Sequence, residues 1–140
     1  AGIDARACGI CPNCLTRRMA LICAGLGDVE QEEQFIWRDL GAPTLEAAIS
    51  PELRAFPVTL RHRAIARAAV LVHDDLAALT TDDPFNKIPA EVRQVAQALH
   101  LSEQDVTSKL HALLGQHRDE WRGFLHRFAP PGSWLRALCR

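Results

Sequence analysis

The stretch "ARACGICPNCLTRRMALICAGL", Ala5–Leu26, carries two signals at once. Cys8, Cys11 and Cys14 recur at a strict spacing of three. Pro12 opens an apolar pattern at helical spacing through Leu15, Met19, Ile22 and Leu26, and the glycines of "GLGD" close it. The spacing predicts a tight thiol turn running straight into a helix. Gly9 lets the backbone fold around an ion without a Cβ in the way. Cys14 falls in the first helical turn, where unpaired backbone N–H groups favour thiolate over thiol. Three thiolates then converge on one cation. Zinc suits such soft donors, and a structural zinc site is closed by a fourth.

Several residues compete for that fourth place. Cys23 lies nine residues beyond Cys14. On a continuous helix that is about 13 Å along the axis, too far for Zn–S bonds of about 2.3 Å. Cys23 therefore reads as a core thiol. Cys139, His62 and His73 remain candidates, as does a residue upstream of Ala1. Ferredoxin-type runs place a further Cys at the position that Arg18 holds, so the local pattern fails for an iron–sulfur cluster, although a remote Cys would still allow one. Three idle cysteines are the bland alternative.

Working outward, the chain of 140 residues suits one ordinary globular body, and 48% apolar content supports a packed core. A formal net charge of -1 gives no overall pull toward nucleic acid or anionic membrane. No apolar run approaches the roughly 18 residues of a membrane span, and "AGIDARACGI" lacks the layout of a signal peptide. Clustered cysteines without a secretory signal point to a reducing cytoplasm. Ala1 rather than Met stands first, and the chain reads as a piece of something longer.

Beyond the motif, "DVEQEEQFIWRDL" reads as a short helix or turn. "TLEAAISPELRAF" starts at a cap-like Thr44 and breaks near Pro51. Leu60, Ile65, Ala69, Val72 and Leu76 predict a long helix stopping before Pro84. Pro89 opens another helix, which breaks at His100-Leu101. Ser102 with Asp105 resembles a capping box before a last long helix. That helix offers Val106, Leu110, Leu113, Leu114, Trp121 and Leu125 to a core. "APPG" stops it, and "SWLRALCR" makes a terminal helical turn. No alternating strand pattern is present, so the expected class is all-α: residues 1–42 as zinc motif and adjoining helix, 43–140 as a helical extension.

"CGICPNCLTRRMALICAGL" resembles the zinc motif of the 7-cyano-7-deazaguanine synthase (QueC-like) family, which carries a first Cys, a linker, then CGxCxxCxxR and "AG". Cys8, Gly9, Cys11, Cys14, Arg17, Ala24 and Gly25 match. "AGIDARA" resembles the linker, which puts the family's fourth ligand just before Ala1. "CPxCLxRR" is more similar to the divergent QueC-like proteins of antiphage defence operons than to the queuosine-pathway enzyme. The resemblance runs to "FIWRDL". It implies part of an ATP-dependent ligase that turns a 7-carboxy-7-deazaguanine into amide and nitrile. ATP would bind a Rossmann-like N-terminal domain, and this chain has no glycine-rich phosphate loop after a strand. No catalytic residue is expected here. The expected partner is that missing domain, on the same chain or as a separate subunit.

The rival expectation, from a different class, is a stand-alone helical interaction or regulatory module. "VAQALHLSEQDVTSKLHALL" has helix-turn-helix spacing, but its second helix begins with Glu103 and Asp105. Pro89–Phe128 balances five basic against five acidic residues, so no nucleic acid partner is expected. Arg63 and Arg67 sit one turn apart, able to grip a phosphate or carboxylate, with a solvated helix face as the plainer reading. Arg17 and Arg18 would screen the thiolates or meet a partner domain. "HDDL", with His73, Asp74 and Asp75, reads as surface.

Overall fold

The computed structural model describes residues 6–32, 35–79 and 88–139. The described residues form helices α1 (Pro12–Cys23), α2 (Gly27–Glu32), α3 (Leu60–Ala78), α4 (Pro89–Leu99), α5 (Glu103–Phe128) and α6 (Trp134–Leu138), with a 3-10 turn at Pro51–Leu53. Among them the only β pairing is two isolated bridges, Ala7 with Phe35 and Trp37 with Ile49. The all-α expectation holds. No helix among the described residues is long and apolar enough to cross a membrane.

The chain divides by packing into Ala1–Val72 with Arg122–Arg140, and His73–Trp121. The expected boundary at 42–43 was drawn from motif extent, a different criterion.

In the first unit, α1 begins where Pro12 fits the N1 position after an extended Cys11. It ends in a Schellman motif: Gly25 turns left-handed (φ 76°), its N–H meets Ile22 O at 3.0 Å, and Leu26 N–H meets Leu21 O at 2.8 Å. The buried arc of α1 is Leu15, Arg18 and Met19. Cys23 lies a further 40° round from Met19, on the last helical residue, and is exposed, so it is not the core thiol expected.

Residues 35–50 hold the core with little regular structure. Phe35, Trp37, Leu40, Leu45, Ala48 and Ile49 are buried. The expected helix after Thr44 is a turn instead. Thr44 Oγ1 accepts the Ala47 N–H, but Ala48 O is taken by the N–H groups of Arg38 and Asp39, and Ile49 is drawn into its bridge with Trp37. Tertiary bonds override local propensity here. Trp134, capped into α6 by Ser133, donates its backbone N–H to Ala42 O and its Nε1 to Asp39 O.

On α3 the packed face is Ala66, Ala69, Val70 and His73. Leu60, Val72 and Leu76, expected inward, are exposed at 85%, 46% and 37%. Only Ala69 belongs to both faces, which lie about a quarter-turn apart. The packed face combines two alanines with Val70 and His73, while the expected face follows the bulkier Leu, Ile and Val positions.

In the second unit, α4 ends at His100 in the left-handed conformation. Ser102 Oγ accepts the Asp105 N–H at 3.0 Å and donates to Asp105 Oδ2 at 2.7 Å. The short Asp side chain meets the hydroxyl, not the backbone N–H that a Glu reaches in a full capping box. Val92, Ala96 and Val106 form a small core, with Ile88 and Leu110 against it. Leu113 is 62% exposed, 100° round from Leu114, so it leaves the expected core list. His73 is also corrected: it is buried, with its ring stacked at 5.3 Å on His117 and at 4.8 Å on Trp121, and Trp121 Nε1 donates to Asp74 Oδ1.

Candidate metal centre

Cys8, Cys11 and Cys14 come together as expected. Their Sγ atoms all lie within 4.8 Å of one another, with Cys8 Sγ 3.6 Å from Cys14 Sγ. A disulfide needs about 2.0 Å between sulfurs. The edge of a tetrahedron with Zn–S bonds of about 2.3 Å is about 3.8 Å. The group is therefore spaced for sharing a metal ion. All three thiols are half-buried.

The turn is fixed from both sides. Cys8 O accepts the Trp37 N–H at 3.0 Å, and Cys11 O accepts the Leu15 N–H that starts α1. Ile10, between Cys8 and Cys11, is 1% exposed and anchors the loop. Gly9 has φ 87°, and a Cβ there would stand 2.5 Å from Trp37 O. The turn thus demands glycine for conformation and for space.

The thiols differ in acidity. At Cys14, burial pushes the pKa up to about 12; the Gly9 N–H opposes this, and the neighbouring sulfurs of Cys11 and Cys8 add to it. At Cys11, burial also acts upward but is outweighed by the N–H groups of Cys14 and Asn13 and by the other thiols, leaving the pKa below its usual value. Cys11 is thus the more acidic of the two and Cys14 the more resistant to losing its proton. A bound cation removes that mutual repulsion, the ordinary linkage between metal binding and thiol deprotonation.

One turn beyond Cys14, Arg18 is expected to screen the thiolates or meet a partner domain, and is instead buried against this chain's own Glu30. It is 4% exposed, and Glu30 beside it 6%. Arg18 Nε donates to Glu30 Oε1 at 2.6 Å, Nη1 to Trp37 O at 3.1 Å and Nη2 to Arg38 O at 2.7 Å. Its guanidinium lies 4.6 Å from the centre of the Phe35 ring. Burial lowers its pKa, and Glu30 pulls it back up. Arg18 thus ties α1 to α2 and to the strand-like segment that holds Cys8. The available signal was its place three residues after Leu15 and one before Met19, inside the apolar stripe. Arg17, the arginine that matches the family motif, is exposed.

Among the described residues no fourth Cys, His, Asp or Glu joins the three sulfurs. Cys23 is exposed at the far end of α1, and Cys139 Sγ donates to Leu135 O at 3.5 Å. His62 packs at 4.8 Å on Trp37, its Nδ1 accepting the Thr59 N–H. His73 belongs to the stack with His117 and Trp121. These four candidates drop out. Arg63 pairs with Glu46 on the surface.

No protein-family model, no curated protein and no solved structure matches this chain.

Proposed function

We propose that Cys8, Cys11 and Cys14 hold one structural zinc ion, with a fourth donor from outside the described residues. The convergence of three sulfurs within 4.8 Å carries this reading. The donor set is soft, the spacing suits a tetrahedron, and Gly9 keeps the loop clear of Trp37 O. When bound, zinc supplies charge neutralisation and a cross-link between the loop and α1. Metal analysis of the freshly purified protein should give about one zinc per chain. Iron with visible absorbance would mean a cluster instead, and absence of both metals would sink the reading.

On its motif, "CGICPNCLTRR", the chain is the zinc-bearing part of a QueC-like, ATP-dependent 7-deazaguanine amide- and nitrile-forming protein of the cytoplasm. Its ATP site lies in sequence that is not in this chain. Support rests on the matched positions from Cys8 to Gly25. The gene upstream should encode a pyrophosphate-binding loop, and the full protein should consume ATP with a 7-carboxy-7-deazaguanine. An upstream region without such a loop removes this reading while leaving the zinc proposal intact.

The exposed leucines of the α4–α5 hairpin favour a second reading, a helical interaction module. Leu99 and Leu113 are 60% and 62% exposed. The acidic first turn of α5, with Glu103 and Asp105, argues against duplex DNA as its target. Tight duplex binding that weakens steeply with salt would overturn that exclusion.

A further inference from the structure

The first unit contains a groove of about 580 Å3, within the range that small ligands occupy. Its apolar lining comes from Leu45, Ala66, Trp134 and Leu138, with Ala64 on the wall and Arg67 at the edge. The alanines recess α3, which leaves room between that helix, the turn at residues 43–46 and α6. Trp134 turns its one polar atom away, to Asp39 O, so its ring offers only apolar surface.

The charges at this groove are unevenly spent. Glu46 is engaged in an ion pair by Arg63, which also lines the groove. Arg67, one turn further along α3, is exposed and forms no ion pair among the described residues. Among the described residues, the lining therefore carries one positive charge outside an ion pair, Arg67, beside apolar side chains. A guanidinium matches a carboxylate with two parallel hydrogen bonds.

We propose that this groove binds a small molecule with a flat apolar body and a single carboxylate, the body against Trp134 and Leu138 and the carboxylate on Arg67. A single guanidinium outside an ion pair among the described lining residues suits a monoanion better than a phosphate dianion. The site is separate from the cysteine group and independent of which metal that group holds.

The probe is 2-naphthoate, titrated calorimetrically into the 140-residue chain, with 2-naphthamide as the uncharged counterpart. Naphthoate should bind, and naphthamide should bind more weakly. Arg67→Gln should weaken naphthoate roughly tenfold or more, the scale of losing a charged hydrogen-bonded partner. Arg61→Gln, an exposed arginine of the same helix outside the groove, should leave binding unchanged. Ala64→Leu, an exposed position on the wall, should block the groove without disturbing the core. The proposal is overturned if naphthoate fails to bind at low-millimolar concentration or if naphthamide binds as well. Equal loss from Arg61→Gln would mean diffuse charge attraction, and unchanged binding in Arg67→Gln or Ala64→Leu would mean that the ligand sits elsewhere.

Discussion

At residues 7–8 and 35–50, several backbone groups find partners distant in sequence. Ala7 O takes the Ile36 N–H, Cys8 O takes the Trp37 N–H, Ile36 O takes the Ser50 N–H, and Ser50 Oγ donates to Phe35 O. A single guanidinium, Arg18, binds two carbonyls and a carboxylate within this network. From Pro89 to Trp121 the backbone bonds run inside α4 and α5, and a small cluster of Val92, Ala96 and Val106 joins them. The first region concentrates its stability in a few polar anchors whose partners stay buried when one is removed. The second spreads it along helices. Single substitutions should therefore be costly around the cysteines and mild in the hairpin.

The sharpest way to break the contrast is Glu30→Gln, which leaves the Arg18 charge buried without its counter-charge. The expected loss is about 3–5 kcal/mol, read as a drop in urea midpoint. Hydrogen exchange should quicken in α1 and at residues 35–38, and remain slow in α4 and α5. A loss below about 1 kcal/mol, the range of surface pairs, would mean that Arg18 is not an anchor.

Next is Gly9→Ala, at φ 87° with a Cβ 2.5 Å from Trp37 O. Left-handed strain and the steric shift together should cost about 3 kcal/mol. The variant should also bind zinc more weakly, measured by competition with a chromophoric chelator. Gly115→Ala, in the middle of α5 with open space around its Cβ position, should be neutral or stabilising and marks the hairpin side of the comparison.

A pH titration probes the hairpin side in another way. Burial, helped by His117, lowers the His73 pKa to about 4, against Asp74, which acts upward. The folded value lies below the unfolded value of about 6.5. The unfolded chain thus binds more protons between these limits. Stability is complete above about pH 6.5 and declines as pH falls toward 4, by an amount on the order of 2 kcal/mol. The urea midpoint of the wild type minus that of His73→Gln should show this slope; a flat difference would place His73 in water. The smallest effect is Ser102→Ala, which removes the α5 cap at about 1 kcal/mol, measured in the same way.

Much of this was legible in the sequence. Pro12, Pro89 and Ser102 marked helix starts because each supplies a local solution to unpaired N–H groups. The cysteine spacing announced its own convergence. Other features were hidden for physical reasons. Arg18 looks like surface charge until Glu30, Trp37 and Arg38 are seen to surround it. His73 stands in a polar run, "HDD", and is buried by rings 44 and 48 residues away. Residues 44–49 have helical composition, but the Ala48 carbonyl is taken by the N–H groups of Arg38 and Asp39 across the fold, and Ile49 is drawn to Trp37. On α3, Ala66, Val70 and His73 pack about a quarter-turn from the face that bulk marks in the sequence. Local signals named the caps and the thiols; long-range bonds chose the buried polar groups.

Trp134 donates its Nε1 to Asp39 O across 95 residues of sequence. A ribosome adds about 5–20 residues per second, so Asp39 waits roughly 5–20 s after its own synthesis for this partner. The His73–Trp121 segment is contiguous and is complete before Trp134 is made. Until Trp134 is made, the Asp39 carbonyl of the cysteine-bearing unit lacks this partner. During that interval the three thiols stand on an incomplete scaffold, and any metal they take up must be captured in competition with their oxidation.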